Sequence, residues 1–198
     1  LDYVFDGYYS RNDYDRLYND DNVSFRSLVK EDYYYIKANA NYSMAFSHRN
    51  RLAFSLYEFM RISDSEYIGT SAYNQNLHSS ETILFADYSQ RLGSFFFDIN
   101  PGLSFLTYRL EGMKSINHLT PRLQARATYR IDKVQQLQFM FALGNTYPRI
   151  NTINNVEQQI DPIIILKGNP NMDNSILLNP RLSHTLNLNK FALQTGVS

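Results

Sequence analysis

Hydrophobic and polar residues alternate along most of the chain, and the clearest example is residues 119–143. The apolar row consists of Leu119, Pro121, Leu123, Ala125, Ala127, Tyr129 and Ile131, and it resumes after Asp132-Lys133 as Leu137, Phe139, Phe141 and Leu143. A period of two is typical of a β-strand with one apolar and one polar face. Both halves are longer than the ordinary strand of ~5–6 residues. The pattern therefore predicts two unusually long strands joined by a tight turn.

The same alternation predicts strands at residues 33–46, 51–63, 80–90, 94–110 and 175–188, a strand end within 1–10, and a further strand beginning at 191. Residues 23–29 are predicted to form a short local strand, and the apolar run 163–166 either a short strand or a hydrophobic anchor. Glu58 interrupts an apolar row, which predicts either a bulge there or a position above the apolar band. Pro101 has no amide hydrogen, which favours an edge or a bulge.

The predicted connections differ in length at the two ends of the strands. Short turns are predicted at 47–50, 91–93, 132–135 and 189–190, and long loops at 11–31, 64–79, 111–119 and 145–174. Outer-membrane barrels have short turns at one end and longer loops at the other, and their strands need ~9–11 residues to span the bilayer. We therefore predict an all-β protein, an antiparallel up-and-down transmembrane β-barrel, with residues 1–198 forming part of one barrel domain.

The barrel is expected to be partial, with about nine long strands belonging to a larger one. Closed bacterial barrels have an even number of strands, and lipid does not tolerate an open sheet edge. A soluble β-sandwich or soluble barrel, serving as a binding or structural module, is the alternative, because its strands also have one apolar and one polar face. Strand length and nearest-neighbour connections favour the membrane form, since sandwiches usually have shorter strands and Greek-key crossings.

Composition narrows the class of protein further. The chain has 19 basic and 19 acidic side chains, so nothing in its net charge favours a nucleic-acid partner. Cysteine is absent, which excludes disulfides, thiolate metal sites and cysteine nucleophiles. The chain contains no run of ~20 apolar residues, so no transmembrane helix is predicted. The first residues lack the charged, then apolar, then small-residue order of a signal peptide. The mean hydropathy of −0.41 is compatible with a barrel whose lumen and loops are polar.

Polar rows on the predicted strands supply candidate lumen residues for contact with a ligand or a plug domain. The candidates are Arg122, Arg126, Arg130, Lys37, Asn39 and Asp98. The three arginines project from one face at regular steps, where they would hold plug carboxylates or an anionic ligand through charge-assisted hydrogen bonds. An ordinary solvated polar face is the alternative interpretation of the same row.

Tyrosine and asparagine are frequent in the predicted long loops. The extracellular candidates for ligand recognition are Tyr67, Tyr73, Asn74 and Asn169. Such side chains suit adaptable recognition, and they are also common in exposed loops and in the aromatic girdles of membrane proteins.

The sequence predicts no catalytic residue, no metal site and no cofactor. Ser47-His48 and Ser183-His184 are adjacent in predicted strands or turns, where neighbouring side chains point to opposite faces. The four histidines are scattered without metal-ligand spacing. Acidic residues between 13 and 21 lack the spaced glycine of a calcium loop. An outer-membrane enzyme would need an inward-facing Ser/His pair, which the pattern does not provide.

Short motifs in residues 119–190 resemble a known family. These are Thr120-Pro121-Arg122-Leu123, then Asn145-Thr146-Tyr147-Pro148 after an aromatic strand, then Gly168-Asn169-Pro170-Asn171-Met172 before the strand at 175–188. Their order and spacing resemble the C-terminal barrel of TonB-dependent outer-membrane receptors of the Bacteroidetes type. Met172 replaces the usual leucine, and Asp173-Asn174 the common Pro-Glu.

The resemblance implies energised uptake of a scarce ligand, such as a siderophore, cobalamin, glycan or peptide, across the bacterial outer membrane. The partners it implies are outer-membrane lipid, the rest of the barrel, a plug domain, TonB and a small ligand that the sequence does not identify. TonB would bind through an N-terminal region. Neither a plug nor a TonB-binding segment is recognisable in residues 1–198.

Overall fold

The computed structural model describes residues 1–20, 23–68, 72–146, 149–159, 163–188 and 191–198, and most of them lie in strands. The elements are β1 (Asp2–Asp20), β2 (Val23–Ser47), β3 (Asn50–Ile68), β4 (Tyr73–Leu92), β5 (Phe95–Leu110), β6 (Ile116–Arg130), β7 (Gln135–Thr146), α1 (Ile150–Ile153), β8 (Gln158–Gln159), β9 (Ile165–Leu166), β10 (Ser175–Leu188) and β11 (Phe191–Val197). No helix in this part of the chain is long and apolar enough to cross a membrane.

The long strands form one antiparallel sheet of nine strands in the order β1-β2-β3-β4-β5-β6-β7-β10-β11, while β8 and β9 pair separately. Each strand of the large sheet lies beside its sequence neighbour among the long strands. The all-β, up-and-down prediction is therefore confirmed. The outer edges of β1 and β11 pair with no other described strand, so the sheet is open.

The two faces of the sheet differ sharply in polarity and in exposure. Directly opposed residues in an antiparallel pair project to the same side, so the register Leu56–Leu84–Leu103–Pro121 defines one row of an apolar face. The large side chains of this face are exposed, including Leu103 at 51% and Leu119 at 69%. The opposite, polar face contains buried charges, with Arg61 8% and Glu81 4% exposed.

Several predicted loops are wrong, because the strands continue through them. β1 reaches Asp20 and β2 begins at Val23, where a loop over 11–31 was expected. β3 extends to Ile68 and β4 begins at Tyr73, within the expected loop 64–79. In these extensions polar residues outnumber apolar ones and the apolar residues do not recur at every second position, so the alternation from which a strand is predicted is missing. Backbone pairing continues there without it.

Ion pairs join side chains of neighbouring strands in these extensions, beside the hydrogen bonds of the backbone. Arg26 Nη2 lies 2.8 Å from Asp15 Oδ2, and its Nε also bonds that carboxylate. The hydrogen bonds from Arg26 hold the pKa of Asp15 below its usual value. Farther along the strands, Lys30 pairs with Glu66 at 3.1 Å.

The short turns lie close to their predicted positions. Asp132 closes the turn between β6 and β7, since its carboxylate accepts hydrogen bonds from the amides of Val134 and Gln135. Gly93 has a φ of 60° between β4 and β5, a conformation that favours glycine. The predicted turn at 189–190 lies outside the described residues.

The two irregular positions behave differently from expectation. The β2–β3 register is continuous at Ala38–Glu58, so no bulge occurs there, and Met60 and Ile62 continue the apolar row beyond Glu58. Glu58 therefore lies within the apolar row and not above it. Pro101 lies on β5, a central strand, so the expected edge position is wrong. The β4–β5 ladder nevertheless passes from Phe85–Gly102 to Tyr88–Ile99 and omits the position of the proline.

Candidate functional site: the polar face of the sheet

A charge cluster lies on the polar face across strands β3 to β6. Arg122 Nη2 lies 2.6 Å from Glu81 Oε1, and Arg61 Nη2 lies 3.7 Å from Glu81 Oε2. The Ser104 hydroxyl donates to the same carboxylate at 2.7 Å. A buried charge is costly unless it is paired and hydrogen-bonded, and Glu81 meets both conditions. Two guanidinium groups around one carboxylate give the cluster a net positive charge.

The predicted arginine row is on this face, but its members differ in their contacts. Only Arg122 is ion-paired; Arg126 and Arg130 make no ion pair with any described residue. Arg126 is opposite Asp98 in the β5–β6 register, and both line a cavity of about 290 Å³. Arg130 borders a second cavity, of about 280 Å³, close to the short turns. These two arginines are exposed on the polar face.

Lys37 and Asn39, predicted on the same face, lie beside an aromatic strip that crosses several strands. The rings of Tyr8, Tyr35, Phe59, Tyr57 and Phe85 follow one another across β1 to β4 with centroids 5.0 to 6.3 Å apart. The Lys37 ammonium lies 6.0 Å from the Phe59 centroid, and the Arg61 guanidinium lies 5.2 Å from it. Such cation–π contacts link the strip to the charge cluster. Asn39 is opposite Tyr57 in the register.

The predicted loop residues are not together in one loop. Tyr67 and Tyr73 lie at the ends of β3 and β4, where their rings stack 5.2 Å apart, and Tyr67 is only 3% exposed. Asn74 projects from the opposite, apolar-face side and lines a surface pocket of about 830 Å³. Asn169 is exposed in the segment after β7, where its side chain accepts from the amide of Asn171.

Residues 149–159 and 163–174 form an inward-folded segment that packs on the polar face at the end of the sheet opposite the short turns. Ile153 is fully buried against Leu77, Leu106, Tyr108 and Leu110, and Met172 packs against this cluster. The Tyr108 hydroxyl donates to the Met172 carbonyl at 2.9 Å, and Asn174 donates to Thr120 at 3.2 Å. The predicted short strand in this region is confirmed as β9.

The two stacked tyrosines hold the inward-folded segment in place. Asn154 Nδ2 donates to the Tyr73 hydroxyl at 2.7 Å, and the Tyr67 hydroxyl donates to the Gln159 carbonyl. Gly168 closes the segment on itself, because its amide donates to the Asn154 carbonyl at 2.7 Å. A Cβ atom at Gly168 would lie 2.7 Å from backbone atoms of Asn154 and Thr152, so this close approach requires glycine.

The central acid of the cluster was missed by sequence reasoning. Residues 80–90 have apolar side chains in both phases, because Ile83 and Phe85 on the polar face interrupt the pattern. Glu81 and Asp87 project to the same face as Ile83 and Phe85. These two acids are the sequence feature that could have identified the polar face of β4. Among described residues, no group of three or more histidine, aspartate or glutamate side chains is placed to hold a metal ion.

No protein-family model matches the chain, and no curated protein matches its sequence.

Proposed function

We propose that this chain is the membrane-spanning part of an outer-membrane receptor of the TonB-dependent type, and that its polar face lines the path of a scarce ligand. The observation that carries the proposal is the inverted polarity of the sheet. Soluble antiparallel sheets place the apolar face on a core and the polar face in water. Here large apolar side chains are exposed on one face, while Glu81 and Arg61 are buried on the other.

The height of the apolar band supports the proposal that a lipid bilayer surrounds it. On β3 the apolar row, which Glu58 interrupts, runs from Leu52 to Ile62, and on β5 from Phe95 to Phe105. At ~3.3 Å per residue each row is about 33 Å long. Tilted by ~40°, as strands of membrane barrels are, a row of that length spans roughly 25 Å, the height of the lipid-facing band.

The open edges support a larger barrel. An unpaired edge in lipid leaves backbone groups without partners, so the outer edges of β1 and β11 require further strands. Such strands would close the barrel around the polar face. A plug domain and the ligand would then meet Arg126, Arg130 and the aromatic strip.

Assignment to the TonB-dependent class rests on the motif order in residues 119–190, to which the structure adds a physical reason for Gly168. In this class the ligand would be a siderophore, cobalamin, glycan or peptide, and TonB would supply the energy through a plug and an N-terminal region outside residues 1–198. The partners in the membrane would be outer-membrane lipid and the rest of the barrel.

Solubility tests the membrane part of the proposal. The protein should be monodisperse only in detergent or lipid, because the apolar face is otherwise in water. Monodispersity in plain buffer, with the apolar rows packed inside, would contradict the proposal and favour the soluble binding module.

Growth tests the transport part. Cells that lack the gene should fail to use one nutrient at low concentration, with iron chelates, cobalamin, oligosaccharides and peptides supplied in turn. Loss of TonB should produce the same defect. Normal growth of TonB-deficient cells on that nutrient, or no defect on any nutrient class in cells that lack the gene, would argue against energised uptake.

A further inference from the structure

The apolar face has a polar interruption on β4. From Asn74 to Thr82 every residue of β4 that projects to this face is polar, and the apolar row begins only at Leu84. On β3 the row at the same level is apolar, with Met60 opposite Ser80 and Ile62 opposite His78. On β5 it is apolar only at Phe105, opposite Thr82, and continues as Thr107 and Arg109. The apolar row of β4 therefore ends three same-face positions (82, 80 and 78) before the level of Ile62 on β3, and one position (82) before that of Phe105 on β5.

Glu58 lies beside this interruption and extends it onto β3. Its carboxylate accepts hydrogen bonds from Ser80 at 2.8 Å and from Thr82 at 2.5 Å. Leu56 and Met60, the exposed residues on either side of it along the strand, are 42% and 45% exposed. We call Glu58, His78, Ser80 and Thr82 the polar notch.

The hydrogen bonds within the notch do not saturate the carboxylate. An ionised carboxylate has about four acceptor positions, and the described donors to Glu58 are two uncharged hydroxyls. No described cation lies within ion-pair distance of it. A lone acid is costly on a face that lipid surrounds, since that face elsewhere is apolar.

We propose that the polar notch is a docking site, within the membrane, for a spanning segment of another protein that presents an Arg, Lys or His side chain to Glu58. This inference rests on the proposed membrane-spanning function and goes beyond it. The carboxylate specifies a cationic or N–H donor, and the flanking apolar residues specify an apolar segment around that donor. Charge-assisted hydrogen bonds supply both affinity and register.

A second copy of the chain fits the notch poorly. Two copies related by an axis along the membrane normal meet at equal depth. The cations Arg11, Arg26, Lys30 and Arg109 on this side of the sheet lie beyond the apolar rows of their own strands, toward the end opposite the short turns. His78, within the notch, is opposite Ile62, four residues along β4 from Thr82, which is opposite Glu58. His184 is opposite Leu137, near the turn between β6 and β7 at the other end. None is at the depth of Glu58. Anionic lipid headgroups are repelled by a carboxylate.

Photo-crosslinking in the cells that produce the protein tests the proposal. A benzophenone amino acid replaces Met60, next to Glu58, in one variant and Leu119 in the control. Leu119 is on the same cross-strand row as Glu58, through Thr82 and Phe105, and is 69% exposed. We expect a protein adduct from position 60, whose crosslinked peptide is an apolar segment with a basic residue, and only lipid adducts from position 119.

Charge variants decide whether Glu58 specifies the partner. Glu58→Lys in the position-60 background should reduce the adduct at least tenfold, and Glu58→Gln should reduce it less. The control Glu66→Lys, on the same face of β3 but paired with Lys30 outside the notch, should leave it unchanged. Both Glu58 variants must retain the folded barrel, measured by resistance to unfolding in detergent without heating.

Three results would overturn the docking site while leaving the membrane assignment intact: lipid adducts alone at position 60, an adduct of two copies of this protein, or a protein adduct insensitive to Glu58→Lys. Failure of the membrane assignment has a different signature. In that case position 119 forms no lipid adduct either.

Discussion

At the scale of single residues, Glu81 shows how the polar face tolerates buried charge. Its carboxylate bonds Arg122 and Ser104 and lies near Arg61. The sequence placed Arg122 on this face correctly, because alternation fixes which way each strand residue points. The sequence did not predict that Glu81 is its partner, since pairing across β4 to β6 depends on strand register, which alternation alone leaves open.

Replacing Arg122 should be far more damaging than replacing Arg126. Arg122→Gln leaves the buried Glu81 with the Ser104 hydrogen bond and one ion pair, the longer contact to Arg61, so we expect a loss of ~3 kcal/mol in the free energy of unfolding. Arg126 makes no ion pair with any described residue, so Arg126→Gln should change it by less than ~0.5 kcal/mol. Urea unfolding of the refolded protein in micelles measures both. Equal effects would contradict a structural role for the cluster.

Gly168 allows a second test at a single residue. Gly168→Ala places a methyl group against the backbone of Asn154, so the inward-folded segment should detach while the sheet remains. Hydrogen exchange should then accelerate at the amides of residues 168 and 169, whose bonds are to Asn154 and Thr152. Gly144→Ala is the matched control, because its Cβ would meet only Arg122 Nη1 at 3.5 Å. Unchanged exchange in Gly168→Ala would refute the close packing.

At the scale of strands, their centres were predictable and their ends were not. The 175–188 strand was predicted to the residue, because its alternation continues to both ends. β1 and β2 instead extend some way past their apolar rows. Alternation records where one face meets an apolar environment, whereas the ladder of backbone hydrogen bonds requires no such environment. The alternation in the sequence therefore ends where the apolar band ends.

The extension of β1 and β2 should respond to acid through Asp15. Arg26 lowers the pKa of Asp15 in the folded state, so this pair stabilises the extension above the unfolded-state pKa of about 3.9. That stabilisation is lost as the pH falls through the lower, folded-state pKa. Arg26→Gln should move the Asp15 titration, followed by its side-chain carboxyl ¹³C shift, to higher pH. Lys30→Gln, which leaves the pair intact, should not move it.

At the scale of the whole molecule, the inverted polarity of the sheet allows a single substitution to distinguish a membrane protein from a soluble one. Leu103 is half exposed on the apolar face. In a bilayer, Leu103→Arg should lower the free energy of unfolding by ~2–4 kcal/mol. Gln124→Arg, on the polar face, should change it little. Folding titrations into phospholipid vesicles measure both values. If Leu103→Arg were as harmless as an ordinary surface change, that face would lie in water.

The up-and-down order also dictates a sequence of events in assembly. Each long strand pairs with its neighbour along the chain, so hairpins can be added one after another with little loop-closure entropy. The inward-folded segment is different, since the Tyr67–Gln159 contact joins residues 92 positions apart. It can close over the polar face only after β3 to β5 are in place. Sealing of this end of the sheet therefore follows the pairing of those strands, and a protein in which the segment had not yet closed would have its polar face open at that end.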